Sequence, residues 1–153
     1  MWEEQLQAAI DAGIQAIDIA MNYYKNGFNV EIKEDKSPVT IADKTVDAFL
    51  RKTLSKKFPS YSFLTEESVD DKDRLNNDFV WIIDPIDGTK DFIAKDDEFT
   101  INIALCYKHK IVVGVVIAPA LNEIYYASEN NGAFFEKLGQ KPVKMHVTDK
   151  GNN

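Results

Sequence analysis

The chain has 153 residues, 44% of them hydrophobic, which suits a single domain with a sizeable core. Eighteen Lys and Arg against twenty-five Asp and Glu leave a net charge of −7, which argues against bulk binding to nucleic acid or to an anionic membrane. One cysteine rules out an internal disulfide, His109 and His146 lack the paired spacing of zinc ligands, and neither a signal peptide nor a bilayer-spanning run is present, so cytoplasmic residence is the default.

In chain order, Trp2, Leu6, Ala9, Ile10, Ile14, Ile17, Met21 and Tyr24 recur at three- and four-residue steps and predict a long amphipathic helix ended by Asn26-Gly27. Glu31 to Lys36 is charged and turn-like. Ser37-Pro38-Val39-Thr40 then leads into a second helix with Ala42, Val46, Phe49, Leu50 and Leu54 on one face, stopping near Pro59. Strands are expected at Tyr61 to Leu64, Phe79 to Ile83, Thr100 to Leu105, Ile111 to Ile117, Glu123 to Ala127 and Ala133 to Lys137, with a hairpin turn at Tyr107 to Lys110. Cys106 falls in one of these runs and reads as a buried, inert thiol. Two helices followed by a mainly antiparallel meander imply an α+β domain with the helices packed on the sheet. Residues 1–138 form that domain on this reading, and residues 139–153 are a polar tail with no further core-building element.

The segment that carries chemistry is Trp81-Ile82-Ile83-Asp84-Pro85-Ile86-Asp87-Gly88-Thr89. An apolar run without a polar face reads as a strand covered on both sides, and it stops at two carboxylates, a glycine and a hydroxyl. Pro85 would fix a turn there, and Gly88 would permit close backbone approach. Asp, Pro and Gly are also ordinary turn residues, so a plain surface turn is the alternative. Glu66 and Glu67 follow the strand-like Tyr61 to Leu64, as either a solvated exit or a second arm of an acidic site. If Glu66 turns toward Asp84 and Asp87, three carboxylates repel unless a hard divalent cation joins them, and oxygen donors favour Mg²⁺ or Mn²⁺. Asp84 has two oxygens and could bridge two ions; the Gly88 and Thr89 amides could face a phosphate. Asp43 stands three residues after Thr40, which fits a helix capping box; alternatively it accepts the Thr89 hydroxyl and frees that oxygen to take a proton from water.

Asp84-Pro85-Ile86-Asp87-Gly88-Thr89, Glu66-Glu67 and Asp43, in this arrangement, resemble the inositol monophosphatase superfamily of Mg²⁺-dependent, lithium-sensitive phosphatases. Lys36 to Thr40, Phe63 to Glu67, Gly88 to Phe92 and Glu98 to Leu105 are similar in particular to the CysQ-type 3′(2′),5′-bisphosphate nucleotidases, because inositol-specific members usually lack a lysine after the threonine. The resemblance implies the N-terminal domain of the layered sugar-phosphatase fold. It implies an enzyme that removes the 3′-phosphate of adenosine 3′,5′-bisphosphate, a by-product of sulfate activation, to give AMP and phosphate. It further implies two or three Mg²⁺ ions, for which Mn²⁺ can substitute, on Glu66, Asp84, the Ile86 carbonyl and Asp87, with Glu67 supporting them. Asp43 and Thr89 would activate the attacking water, and Glu66, Asp87, Gly88 and Thr89 would surround the substrate phosphate. Lys90 would meet substrate charge or orient the loop, unless it is simply an exposed surface lysine.

The match covers nearly all of this chain but only a little over half of a typical family member. Such members continue into a second lobe, where a Trp-Asp motif completes the second metal site; no Trp-Asp pair follows Asn130 here. Three origins stay open: a domain cut from a longer protein, an incomplete gene product, or a stand-alone form completed by another chain. The expected partners are accordingly a phosphorylated nucleotide and either a second copy or the missing lobe. Two other functions stand beside the nucleotidase: an inositol monophosphatase, and a non-catalytic half-domain that binds metal or phosphate.

Overall fold

A computed structural model describes residues 1–70 and 72–148. Helix α1 (Glu3–Asn26) is followed by a small hairpin of β1 (Val30–Ile32) and β2 (Pro38–Thr40), then by helix α2 (Ile41–Lys57). Next come β3 (Ser62–Thr65), β4 (Phe79–Asp87), the short helix α3 (Thr89–Ala94), β5 (Thr100–Tyr107), β6 (Lys110–Ala118), β7 (Glu123–Ser128), β8 (Gly132–Lys137) and β9 (Val143–Met145). The last seven strands form one sheet in the order β3-β4-β5-β6-β7-β8-β9. Among the described strands only β3 and β4 run parallel; every other neighbouring pair is antiparallel. This is the expected α+β arrangement of helices on a mainly antiparallel sheet.

Strand alternation assigns the two faces of the sheet. Trp81 and Ile83 of β4, Ile101, Ile103 and Leu105 of β5, and Val113, Val115 and Ile117 of β6 are all buried, on the side covered by α1 and α2. The expected stripe of α1 is largely the buried one, with Leu6, Ala9, Ile17 and Tyr24 in the core, but at its centre it is built of small residues. Ile14 is exposed, whereas Ala9, Ala12, Ala16 and Ala20 are fully buried. The reason is close approach: a Cβ built on Gly13 would stand 2.2 Å from Ile117 Cδ1. A larger side chain has no room at Gly13, and Ile10 and Met21 pack at the margins of the stripe.

Three further differences concern local structure. Glu31 to Lys36, expected to be only turn-like, includes the end of a hairpin strand, with Glu31 paired to Val39 and Ile32 to Pro38. Strand β4 does not stop at Ile83 but continues to Asp87, and Pro85 sits inside it rather than in a turn. Proline lacks an amide hydrogen and fits a strand where the ladder is interrupted. The register shifts there: Asp84 pairs with Asn102 and Asp87 with Thr100, so three steps on β4 match two on β5. After Gly139 the chain adds β9, an edge strand on β8 whose residues are all exposed, so the tail forms a strand without enlarging the core.

The second face of the sheet carries no α-helix among the described residues; a single 3-10 turn, Asp73–Asn76, lies against β3 there. Ile82 and Cys106 are only half-buried there, so neither the strand read as covered on both sides nor the thiol read as buried is fully enclosed. A shallow groove of about 210 Å³ crosses this face, lined by Ile82, Asp84, Asn102, Ala104, Gly114 and Val116 among others. No helix of the described residues is long and apolar enough to cross a membrane.

Two outcomes are expected from this packing. Gly13→Val should destabilise the fold by about 1–3 kcal/mol through overpacking against Ile117, measured by urea unfolding; a loss within error would show that α1 can lift away freely. The chain should also self-associate through its open apolar face, and Val116→Lys should weaken that association. A monodisperse monomer by size-exclusion chromatography with light scattering would contradict the second expectation.

Candidate active site

The site gathers where β3, β4 and the two short connections beside them meet the start of α2. Thr40 caps α2: the Ala42 amide donates to Thr40 Oγ1 at 3.1 Å, and the Thr40 amide and hydroxyl donate to Asp43 Oδ2 at 2.8 and 2.6 Å. Asp43 is almost wholly buried, and its other oxygen, Oδ1, accepts the Thr89 hydroxyl at 3.0 Å. The helix cap and the contact with Thr89 therefore use different oxygens of one carboxylate, and neither excludes the other. The Thr89 hydroxyl also lies 3.1 Å from the Ile86 carbonyl, so its single proton faces two acceptors while its lone pairs remain available.

Thr89 is the first residue of α3, and the packing of that helix holds it in place. Phe92 of α3 is fully buried among Tyr24, Phe28 and Phe99, with ring centroids 5.2, 4.9 and 4.8 Å away. Gly88 precedes α3 at φ 84, and an added Cβ would come within 2.9 Å of the Glu98 carbonyl. Both the left-handed backbone and the close approach demand glycine here.

Asp84 is the electrostatic centre. Burial first, and then the charges of Glu66 and Asp87, a hydrogen-bonding contact with Glu66, and the charge of Asp43 raise its pKa from 3.8 to about 7. Its Oδ1 is buried without a hydrogen-bond partner. Glu66 reaches the site because its amide extends the β3 ladder to the Ile83 carbonyl, at 3.3 Å. Asp87 is exposed, and Asn102 Nδ2 donates to its Oδ2 at 3.0 Å. A single cleft of about 250 Å³ is lined by Glu66, Asp84, Ile86, Asp87, Gly88 and Thr89, together with Ser37, Pro38, Lys90 and Asp91. Lys90 itself is exposed at the rim.

Glu67 turns away from the cleft. Its side chain is 6% exposed and takes a hydrogen bond from Lys33 Nζ at 2.6 Å, with Glu66 3.8 Å from the same ammonium. Burial alone would lower the Lys33 pKa, but the hydrogen bond and charge of Glu67, then Glu66 and Asp43, raise it. Burial first, with the charges of Asp43 and Glu66, raises the Glu67 pKa against the hydrogen bond and charge of Lys33.

The sequence reasoning missed Lys33 and Asn102. The alternation Val30-Glu31-Ile32-Lys33 signals a strand that would have carried Lys33 toward the acidic segment; Asn102 is recognisable only once the bulge places it opposite Asp84. Among the described residues no three acid, imidazole or thiol side chains form a closed metal cage. Glu66 faces Asp84 and Lys33, while Asp87 faces Asn102, as mutually repelling carboxylates with separate partners would. The donors nevertheless fit a hard divalent cation: they are all oxygens, one of them is buried and orphaned, and one carboxyl is driven toward protonation by burial and then by its neighbours' charge.

The whole chain, residues 1–153, matches the model of the inositol monophosphatase family. The chain belongs to that family. It is 41% identical over 130 residues to the 3′(2′),5′-bisphosphate nucleotidase CysQ of Haemophilus influenzae, covering 83% of this chain and 48% of that protein. It is 36% identical over 145 residues to human inositol monophosphatase 1, covering 92% and 51%. In structure it is similar to the Thermotoga maritima IMPase, with TM-score 0.84 and 33% identity over 96% of this chain and 55% of that one. CysQ from Bacteroides thetaiotaomicron gives TM-score 0.74 and 32% identity over 99% and 54%. This inositol monophosphatase family member thus spans about half the length of the relatives it matches.

The raised pKa of Asp84 has a defined sign. A carboxyl more easily protonated in the folded chain than in the unfolded one lowers stability progressively as pH rises from about 4 to about 7. A divalent cation competes with that proton, so the rise in melting temperature on adding Mg²⁺ should be small at acidic pH and should grow up to about pH 7. Asp84→Asn should remove most of the rise; an undiminished shift in that variant would exclude Asp84 as a ligand.

Proposed function

We propose that the function is Mg²⁺-dependent phosphomonoester hydrolysis, with the 3′-phosphate of adenosine 3′,5′-bisphosphate as substrate and AMP and phosphate as products. The observation that carries this reading is the Thr89–Asp43 hydrogen bond at 3.0 Å beside the Asp84–Glu66 pair in the same cleft. A water-activating pair and an acidic oxygen cluster are then neighbours. Glu66, Asp84 and the Ile86 carbonyl would hold one ion, and Asp84 with Asp87 a second, with Mn²⁺ as a substitute for Mg²⁺. Bound there, the ions would offset the carboxylate charge, neutralise the phosphate and make water more acidic.

The chain's own residues supply the proton path. A water attacking phosphorus passes a proton to Thr89 Oγ1 while the Thr89 proton moves to Asp43 Oδ1; the P–O3′ bond breaks, and the leaving oxygen is protonated from solvent. Asp43 is fixed for this task because Thr40 already holds its second oxygen. The Gly88 and Thr89 amides would face the phosphate, and Lys90, which lines the same cleft, would offer a cation at the rim.

The likeness to CysQ nucleotidases and Lys90 after the threonine support the nucleotide substrate. Similarity to inositol monophosphatases of comparable extent supports an inositol phosphate as the second reading. The carboxylate that completes the second metal site in the family lies, by resemblance, beyond Asn130 and has no counterpart in this sequence. Turnover by these 153 residues should accordingly fall far below that of a full-length relative. Either a second copy or the remaining lobe would cover the open sheet face.

Phosphate release from adenosine 3′,5′-bisphosphate should exceed release from inositol 1-phosphate; the reverse preference would favour the second reading. Thr89→Ala should lower turnover by about 10²–10⁴-fold and leave the Mg²⁺-induced melting shift intact. Near-normal turnover in that variant would reduce Asp43 to a helix cap.

A further inference from the structure

One turn beyond Asp43 on α2 lies a second buried carboxylate, Asp47, which is 2% exposed and has no part in the proposed chemistry. Its Oδ2 accepts from Arg51 Nε at 2.9 Å and from Ser68 Oγ at 3.1 Å, while Oδ1 is buried without a partner. Ser68 and Thr65 bracket Glu66 and Glu67. The Ser68 amide donates to Thr65 Oγ1 at 3.2 Å, and the two hydroxyls are in contact. Asp47 thus ties both ends of the four-residue acidic segment to the helix that carries Asp43.

We propose that Asp47, acting through Ser68, is a positioning residue that sets Glu66 against Asp84. The proposal rests on the reading of Glu66 and Asp84 as metal ligands.

Stability alone is a poor account of this carboxylate. A buried charge with one oxygen unsatisfied is unfavourable compared with an apolar side chain in the same space. Its location is what distinguishes it. Residues four apart share a helix face, so Asp43 and Asp47 project from one side of α2, the first to Thr89 beyond β4 and the second to the segment beyond β3. Glu66 is only loosely held by its own contacts, which are the carboxyl of Asp84 and the ammonium of Lys33. Its side chain is 54% exposed, and Lys33 is 3.8 Å away and nearer to Glu67. The backbone on which it rides is therefore what fixes its carboxylate, and Ser68 and Thr65 fix that backbone. Outer hydrogen bonds of this kind alter metal affinity by orienting the residues that touch the ion.

Mn²⁺ binding, followed through the electron paramagnetic resonance signal of the free ion, tests the assignment in the 153-residue chain at a temperature where every variant is folded. Asp47→Ala and Ser68→Ala should each weaken Mn²⁺ binding by about 10–100-fold. Asp47→Ala should remain folded, because alanine favours helix and the freed Arg51, 41% exposed, can be hydrated. Leu54→Ala, a buried change two turns further along the same helix, should lower the melting temperature and leave Mn²⁺ affinity unchanged. Wild-type affinity in both Asp47→Ala and Ser68→Ala would overturn the proposal, as would an equal loss in Leu54→Ala. Failure of the wild-type chain to bind Mn²⁺, or full binding by Asp84→Asn, would instead remove the metal reading and this proposal with it.

Discussion

Asp84 and Glu66 are held together against their own repulsion, and the rest of the molecule is arranged to make that possible. Burial and the neighbouring charge of Glu66 raise the proton affinity of Asp84, and free side chains would separate. They stay close because each follows the last paired residue of the β3–β4 ladder, Thr65 on one strand and Ile83 on the other, and that pair is the only parallel one among the described strands. Parallel strands deliver their following residues to the same edge, whereas an antiparallel partner would have delivered them to opposite edges. Behind this edge, Trp81 and Ile83 are buried against α2 and cannot yield. Apolar burial, at about 25 cal/mol per Å², supplies the stability that charge repulsion removes.

The same logic explains the two short elements around the site. The bulge at Pro85 ends the regular ladder and leaves Asp84 half-buried but Asp87 exposed, so that the two carboxylates meet different surroundings. Helix α3 is too short to be stable alone, and Phe92 anchors it in an aromatic cluster to which α1 contributes Tyr24. Thr89 thereby gains a fixed position from packing that begins at the far end of the chain.

Much of this was legible in the sequence. The periodicity of α2 and the alternation of β5 and β6 identify their buried faces directly, and the abrupt change from apolar residues to Asp84 marks where pairing with β3 ends and the site begins. What escaped is tertiary in origin. The alanine seam of α1 cannot be inferred from hydropathy, because alanine is weakly apolar and its burial reflects the distance at which Gly13 lets the helix approach. The β1–β2 hairpin was hidden by its charges, since Glu31 and Lys33 serve as partners for Lys44 and Glu67 rather than as marks of a loop. The extension of β4 through Pro85 was unreadable because a proline ordinarily argues against a strand, and only the bulge accommodates it.

The sheet's connectivity also bears on the order in which the chain assembles. From β4 to β9 each strand pairs with its immediate successor, so the meander can grow by local hairpins, which close with little entropic loss. The parallel β3–β4 pair, and the Asp43–Thr89 contact across 46 residues, require distant segments to return. A chain that condenses from its hairpins outward would bring its acidic segments together last, when an apolar nucleus already exists to hold them. Electrostatic frustration would then be confined to the final step of folding, where it slows closure of the cleft without diverting the search for the fold.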